Sequence, residues 1–219
     1  KGRARGTGAS LHVDTKYQPL PDGQCGVFDI LSYPIGLVTG GAGTRDPTSW
    51  RLPKQLPTVG HKVAVGKLAG SVIETPGHTN GHIAYWFHGD KLAFVGDTLF
   101  SIGCGRVIEG TPDMMWQSLK KLRDLPNDTE IYCGHEYTAA NIRFARTVEP
   151  DNAVLAARAA QALQQIAQGE PTIPVTIGDE KLANPFLRAD VAEVAAAIGM
   201  AGKDAAQVFA EIRARKNKF

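Results

Sequence analysis

The sequence has 219 residues, of which 43% are hydrophobic and 21% are charged, and its formal net charge is +2. A chain of this size can bury a substantial core, as one domain or as one domain with a small appendage. Because positive and negative residues are well mixed, the composition favours neither a nucleic-acid nor a membrane partner. No apolar run reaches the roughly 18 residues that a membrane span requires.

The cysteine pattern points to a reducing compartment. Cys25, Cys104 and Cys133 are an odd number and lack the spacing of a metal finger. The charged start of the chain is not followed by an apolar stretch, so we expect no signal peptide there. The chain opens on Lys1 and not on Met, so we expect its natural beginning to be missing. The sequence predicts a cytoplasmic protein and gives no oligomeric state.

Residues 1–57 carry weak structural signals. Gly, Pro, Asp, Ser and Thr recur too often there for long elements, and only Cys25 to Leu31 and Ile35 to Thr39 resemble strands. The opening KGRARGTGAS has the composition of a linker, a cloning remnant or a flexible native arm. We expect residues 1–57 to be a disordered or aberrant segment.

From Val59 onward the pattern sharpens into short strands. Apolar and polar residues alternate over four segments that are separated by tight, glycine-bearing turns, namely residues 62–66, 68–75, 82–87 and 91–95. A fifth strand is predicted at Glu130 to Cys133. Strands joined in this way predict a sheet that is antiparallel or mixed.

The second half of the chain predicts helices. Thr111 is a suitable N-cap, Pro112 fits the first helical position, and Pro126 ends the helix. Further helices are predicted at residues 137–148, 151–168, 192–198 and 204–215. The chain is therefore rich in strands first and in helices last, with a shift in composition near residue 150.

Three of the predicted strands end in the same way. A short strand runs into a glycine, and His78, Asp97 or His135 follows that glycine at once. Alone, each of these residues is more often a turn or capping residue than a ligand. Strand ends in one sheet can converge, however, and imidazole and carboxylate donors suit zinc, iron or manganese. The repetition favours a metal site.

These segments resemble the metallo-β-lactamase fold and, within it, the glyoxalase II family, the hydroxyacylglutathione hydrolases. The motif PGHTxGH is typical of the whole superfamily, whereas CGHEYT followed by a helical tail with Arg-x-x-Lys indicates glyoxalase II. The matching pieces together span residues 58–219 and are ETPGHTNGHI (74–83), FVGDTLF (94–100), GCGRVIEGT (103–111), YCGHEYT (132–138), NPFLR (184–188) and IRARKNKF (212–219).

The resemblance implies an α+β fold. A metallo-β-lactamase-like αββα sandwich, whose N-terminal part is incomplete or divergent here, would occupy residues 58–150. A small helical domain, residues 151–219, would cover the glutathione end of the substrate. The implied reaction is hydrolysis of the thioester of S-D-lactoylglutathione to D-lactate and glutathione.

The resemblance also implies the roles of individual residues. The catalytic centre would hold two divalent metal ions, zinc or else iron or manganese. His78 is similar to a ligand of the first ion, His135 to a ligand of the second, and Asp97 to the carboxylate that bridges both and is the catalytic residue. His82 is expected to support these ligands without binding metal.

Four residues match family positions that hold the glutathione moiety. They are Arg106, Tyr137, Arg213 and Lys216. Glutathione carries two carboxylates, with which Arg and Lys side chains can pair, while a Tyr hydroxyl supplies a directional hydrogen bond. Ile108 departs from the family, which often has an aromatic residue at this position.

One family motif is missing from this sequence. Thr-His-x-His-x-Asp-His, which supplies four further ligands, belongs where Asp22 to Val27 reads DGQCGV, and no histidine lies between His12 and His61. Each metal would then keep two protein ligands, whereas catalytic zinc sites normally have three.

Three explanations of the missing motif remain open. The chain could be an active hydrolase whose other ligands come from elsewhere. It could be a truncated or defective relative whose first 57 or so residues are a frame-shifted reading, the explanation we favour for the sequence. It could also be a glutathione-conjugate binding module. A persulfide dioxygenase or lactonase of the same superfamily is a further alternative, which CGHEYT and the Arg-x-x-Lys tail disfavour.

Overall fold

The computed structural model describes residues 2–3, 12–13, 60 and 62–219. Gly2–Arg3 (β1) and His12–Val13 (β2) pair in antiparallel fashion. The strands predicted at residues 25–31 and 35–39 lie outside the described residues, as does most of the segment 1–57.

The main sheet has six strands and is mixed. Its strands are Lys62–Val65 (β3), Leu68–Glu74 (β4), Ile83–Phe87 (β5), Leu92–Gly96 (β6), Glu130–Cys133 (β9) and Val175–Thr176 (β10). They lie in the order β10-β9-β6-β5-β4-β3, and all neighbours are antiparallel except β6 and β9, which are parallel. Leu99–Phe100 (β7) and Gly103–Cys104 (β8) form a separate hairpin. The five strands predicted from Val59 onward are confirmed.

Alternation along the central strands buries both faces of the sheet. Successive side chains of a strand point to opposite faces, and in β5, β6 and β9 both sets are apolar. One set joins the large core with the helices and includes Ala84, Ala93, Val95 and Ile131. The other set forms a second cluster with Tyr85, Phe87, Phe94 and Tyr132. A sheet that is buried on both sides is the arrangement expected within a layered sandwich.

Six α-helices lie within residues 62–219. They are Pro112–Arg123 (α1), Thr138–Val148 (α2), Ala153–Ala167 (α3), Ile177–Ala183 (α4), Ala192–Ala197 (α5) and Ala205–Lys218 (α6), and Pro185–Leu187 adds a 3-10 turn. As predicted, Thr111 caps α1, because its side chain accepts a hydrogen bond from the N–H of Met114. None of the helices in the described part of the chain could cross a bilayer.

The segment after residue 150 also contributes to the sheet. Val175–Thr176 pairs with Glu130 and Ile131 of β9 and so completes that edge. The sequence predicted neither β10 nor α4. A strand of two residues and a helix of seven are too short to show a period. The helical segment is therefore fastened to the sheet and does not stand apart from it.

Candidate metal centre

The predicted ligand residues lie at one edge of the main sheet. Asp97 follows β6 and His135 follows β9, and because these strands are parallel, their carboxyl ends lie side by side. Strand β4 is two antiparallel steps from β6 and therefore points the same way. The loop after β4 carries His78. The topology thus brings together three residues that are far apart along the chain.

The three side chains converge on one oxygen atom. Nε2 of His78 lies 3.3 Å from Oδ2 of Asp97, and Nε2 of His135 lies 3.3 Å from the same oxygen. The side chains of His78, Asp97 and His135 are 20%, 23% and 40% exposed, so the group remains open to solvent. We call these three residues the His–Asp–His cluster.

A backbone carbonyl fixes the orientation of the His78 ring. Nδ1 of His78 lies 2.9 Å from the carbonyl oxygen of Arg106. Since a carbonyl only accepts, Nδ1 carries the hydrogen, and in the neutral ring Nε2 presents a lone pair to Asp97. Two acceptors at 3.3 Å repel each other unless Nε2 is protonated or a cation lies between them. Such a backbone contact is typical of metal-ligating histidines.

His82 lies behind the cluster and supports Asp97. Its Nε2 accepts a hydrogen bond of 3.1 Å from the backbone N–H of Asp97. Its Nδ1 lies 2.8 Å from Oγ1 of Thr75 and 3.0 Å from Oγ1 of Thr98. Burial, and then the neighbouring His78, lower the pKa of His82 to about 4, so its ring stays neutral. This placement agrees with the supporting role expected for His82.

The glycines that precede Asp97 and His135 are required by close contacts. Gly96 has φ +49, and a Cβ there would lie 2.8 Å from Nε2 of His82. A Cβ on Gly134 would lie 2.3 Å from Oδ1 of Asp97. In both cases a larger residue would displace a side chain of the site. The repeated step from strand to glycine to ligand therefore has a steric cause.

The loop of residues 105–110 forms backbone hydrogen bonds with the loop that carries His78. The carbonyl oxygen of His78 accepts hydrogen bonds of 3.3 Å from the N–H groups of Ile108 and Glu109. The Glu109 carboxylate in turn accepts a hydrogen bond of 2.8 Å from the N–H of Asn80. Sequence reasoning missed Glu109, because a lone acidic residue in a loop carries no pattern that predicts a distant partner.

Two of the predicted substrate contacts lie beside the cluster. Tyr137 is 49% exposed, and its ring stacks on that of His135 with centroids 5.1 Å apart. Arg106 is exposed on the loop whose carbonyl orients His78. Both residues are therefore exposed next to the cluster.

Arg213 and Lys216 lie on α6 and are more buried than a solvated last helical turn. Arg213 is 6% exposed, and its Nη1 donates a 2.9 Å hydrogen bond to the carbonyl of Cys104. Nζ of Lys216 donates to the carbonyl of Ala140 at 2.9 Å. Burial, followed by the nearby charges of Arg213 and Arg143, lowers the pKa of Lys216 to about 8.

The donors fit a divalent metal in kind but not in number. Imidazole nitrogen and carboxylate oxygen suit zinc, iron and manganese. The contact of Nδ1 of His78 with the Arg106 carbonyl leaves the lone pair of Nε2 available to bind a metal ion. Within the described part of the chain, however, no group of three or more His, Cys, Asp or Glu side chains is arranged to hold a metal ion. Among the described residues, His78, Asp97 and His135 are the side chains that would hold such an ion.

Comparison with known families gives two matches along the chain. Residues 4–135 match the model of the metallo-β-lactamase superfamily, whose members bind divalent metal ions. Residues 136–219 match the model of the hydroxyacylglutathione hydrolase C-terminus. The first match includes much of the segment in which the sequence alone gave no recognisable family motif.

Curated relatives give the same family. The chain is 64% identical over 158 residues to a hydroxyacylglutathione hydrolase of Rhodopseudomonas palustris, a match that covers 72% of this chain and 62% of the relative. It is 59% identical over 159 residues to one from Nitrobacter hamburgensis, with 73% and 62% covered. The chain therefore spans less than two thirds of the length of these relatives. With a superfamily match over more than half of its length, the chain belongs to the metallo-β-lactamase superfamily, and its C-terminal part is similar to that of hydroxyacylglutathione hydrolases.

Proposed function

We propose that this protein hydrolyses the thioester of S-D-lactoylglutathione to D-lactate and glutathione at a binuclear metal site. The observation that carries the proposal is the placement of two imidazole nitrogens at 3.3 Å from one carboxylate oxygen. His78, Asp97 and His135 would hold the metal ions. Zinc is the expected metal, with iron and manganese as alternatives that suit the same donors.

The chain's own residues hold and orient these donors. Two bound cations would supply an ionised water near neutral pH and would polarise the thioester carbonyl. Arg106 keeps the hydrogen of His78 on Nδ1, and His82 holds the backbone of Asp97. Because a thiolate is a good leaving group, the reaction requires no protein nucleophile.

The glutathione moiety would bind between the cluster and α6. Arg106, Arg213 and Lys216 supply positive charge for its two carboxylates, and Tyr137 supplies a hydroxyl next to His135. In this proposal residues 58–150 carry the catalytic site and residues 151–219 bind the glutathione end of the substrate. The partner is a small-molecule thioester, and the proposed location is the cytoplasm, where thiols such as Cys104 and Cys133 stay reduced.

Metal content and thioester cleavage, measured together, test the proposal. We expect bound zinc and hydrolysis of S-D-lactoylglutathione, and we expect His78→Ala and His135→Ala to lower both. His88→Ala is the matched control, because His88 is exposed and packs on Trp86 away from the cluster. Less than one tightly held ion per chain, together with background cleavage, would sink the proposal.

A second candidate function is binding of glutathione conjugates without catalysis, by a truncated or defective relative. The observation that favours it is the incomplete donor set among the described residues. Calorimetry with a glutathione thioether would then show binding that Arg213→Ala together with Lys216→Ala abolishes, while thioester turnover stays at background. Turnover above background in the metal-loaded protein would exclude this candidate.

A further inference from the structure

The β7–β8 turn, residues 100–103, links the two halves of the candidate site. At its start, the ring of Phe100 lies 6.2 Å from that of His135 and 5.3 Å from that of Tyr137. At its end, the chain passes through Cys104 and Gly105 to Arg106, whose carbonyl orients His78. A shift of this turn would therefore move the surroundings of both imidazoles.

The turn contains a strained residue. Ile102 has φ +56 and is fully buried. A β-branched residue rarely adopts this left-handed conformation, since its side chain crowds the backbone. Such strain persists only where the surrounding structure stabilises it, and it is concentrated at functional sites.

A buried carboxylate holds the strained residue. The N–H of Ile102 donates to both carboxylate oxygens of Glu180, at 2.9 and 3.1 Å. Nδ2 of Asn184 donates to Oε2 of Glu180 at 2.7 Å and to the carbonyl of Gly103 at 3.0 Å. Glu180 and Asn184 belong to α4 and its C-cap, so the anchor comes from the helical segment.

Two further side chains hold the middle of the turn, one from α2 and one from the helical segment. Nδ2 of Asn141, on α2, donates to the carbonyl of Ser101 at 3.0 Å. Nη2 of Arg158, on α3, lies 3.3 Å from Oγ of Ser101. Nδ2 of Asn184 also lies 3.4 Å from the carbonyl oxygen of Phe100, so every residue of the turn from Phe100 to Gly103 has a polar contact with the helical segment.

We propose that Glu180 is a positioning residue: it holds the β7–β8 turn in its strained form and thereby sets the rings of His78 and His135. The inference takes the His–Asp–His cluster as the site of the proposed function. The contacts fit this role, because the side-chain oxygens of Glu180 accept hydrogen bonds from the N–H of Ile102 and from Nδ2 of Asn184. Burial raises the pKa of Glu180 to about 8, against the effect of those donors and of Arg158. If position 180 had only a packing role, an apolar residue would fill it without the free-energy cost of burying a carboxyl group.

Glu180→Gln tests the proposal with little change of volume. Its amide oxygen can still accept from Ile102, but its NH₂ group then faces Nδ2 of Asn184, and two donors repel. Asn184 cannot turn its amide without losing its bond to Gly103. The substitution should therefore loosen the turn while leaving the packing around position 180 in place.

Asn152→Ala is the matched control. Asn152 caps α3 through the N–H groups of Val154 and Leu155, and it donates to the carbonyl of Leu182 on α4. Its loss weakens the same helical segment without touching the turn. An effect of E180Q that N152A reproduces would come from general destabilisation of that segment.

The readout is the tautomer of His78, measured by ¹⁵N-edited NMR on metal-free protein without substrate at pH 9, where Glu180, with its pKa of about 8, is mostly ionised and both of its oxygens accept. We expect hydrogen on Nδ1 in the unmodified chain and in N152A, and a mixture of both tautomers in E180Q. Zinc affinity should fall about tenfold in E180Q and stay within twofold in N152A, as for a residue that supports a metal ligand. If E180Q does not fold, Glu180→Asp, whose carboxylate is one methylene too short to reach Ile102, should give the same mixture.

An unchanged His78 tautomer in E180Q, or an equal change in N152A, would overturn the proposal. The NMR readout requires neither metal nor turnover. A chain that fails to hydrolyse thioesters can therefore still support or refute the role of Glu180, and the two failures are distinguishable.

Discussion

The carbonyl oxygen of Arg106 lies 2.9 Å from Nδ1 of His78. Arg106 thus has an exposed side chain, while its backbone orients the ring of His78. Substitution of the Arg106 side chain leaves the carbonyl in place. Arg106→Ala should weaken the binding of a glutathione thioether while zinc affinity stays unchanged, and paired calorimetric titrations check this. A loss of zinc affinity would mean that the side chain is required to place the loop.

The glycine before His135 provides a second prediction. A methyl group on Gly134 would lie 2.3 Å from Oδ1 of Asp97, so Gly134→Ala should push that carboxylate out of the cluster. We expect zinc affinity to fall by about tenfold or more. Gly81→Ala is the control, because a Cβ on Gly81 meets nothing within 4 Å. Equal zinc affinities in the two variants would argue against Asp97 as a shared ligand.

Arg213 and Lys216 should differ in their contribution to stability. Arg213→Ala removes a buried hydrogen bond to the carbonyl of Cys104 and should lower the free energy of unfolding by about 1–3 kcal/mol. Lys216→Ala removes a half-buried contact and should cost about 1 kcal/mol or less. Both should weaken binding of a glutathione thioether. Urea denaturation and calorimetry measure the two effects separately, and equal stability losses would contradict the observed difference in burial.

Binding of glutathione conjugates should depend on the protonation of Lys216. The pKa of this lysine is lowered to about 8, so its charge is present below that pH and is lost above it. A bound carboxylate raises the pKa again, so affinity should fall as the pH rises from about 8 to 10. Lys216→Arg keeps its charge throughout this range and should flatten the profile. A wild-type affinity that stays constant up to pH 10 would exclude a role for the Lys216 charge.

Glu180 predicts a pH dependence of stability. Burial raises its pKa in the folded protein from 4.5 to about 8, so between these values the folded state keeps a proton that the unfolded state has lost. Stability should therefore fall as the pH rises through this window, by at most about 1.4 kcal/mol per pH unit from this group. The charges that act on Glu180 are Arg158, which lowers its pKa, and Asp179, which raises it.

Denaturation of the unmodified chain and of E180Q at pH 5 and pH 8 measures this contribution. The difference in stability between the two proteins should change over the interval, with the unmodified chain losing more as the pH rises. Parallel profiles would mean that Glu180 does not titrate in this range.

The sequence predicted that His78, Asp97 and His135 would meet at one edge of the sheet. The step from strand to glycine to ligand is a local pattern, and its cause is local too, because Gly96 and Gly134 leave room for His82 and Asp97. The long helices were also predictable. Thr111 caps the start of α1, and Gly169, with its positive φ, follows the end of α3. Periodic burial and capping are properties that a short window of sequence contains.

The anchor of the β7–β8 turn was not predictable in this way. Glu180 meets Ile102 across 78 positions of sequence, and neither residue belongs to a repeating pattern. The segment NPFLR was recognisable by resemblance. Nothing in it predicts that Asn184 donates hydrogen bonds to both Glu180 and the carbonyl of Gly103. Buried polar networks depend on which distant groups the fold brings together, and single-sequence reasoning has no access to that.

The pairing of β10 with β9 bears on any attempt to isolate residues 58–150 as a fragment. A chain cut near residue 150 would lose Val175–Thr176 and leave Glu130–Cys133 as an open border with free amide and carbonyl groups. An unpaired edge strand can form backbone hydrogen bonds with strands of other molecules. The helical portion thus protects an edge of the main sheet through β10. Preparations that lack it should self-associate through β9, the strand that leads to His135.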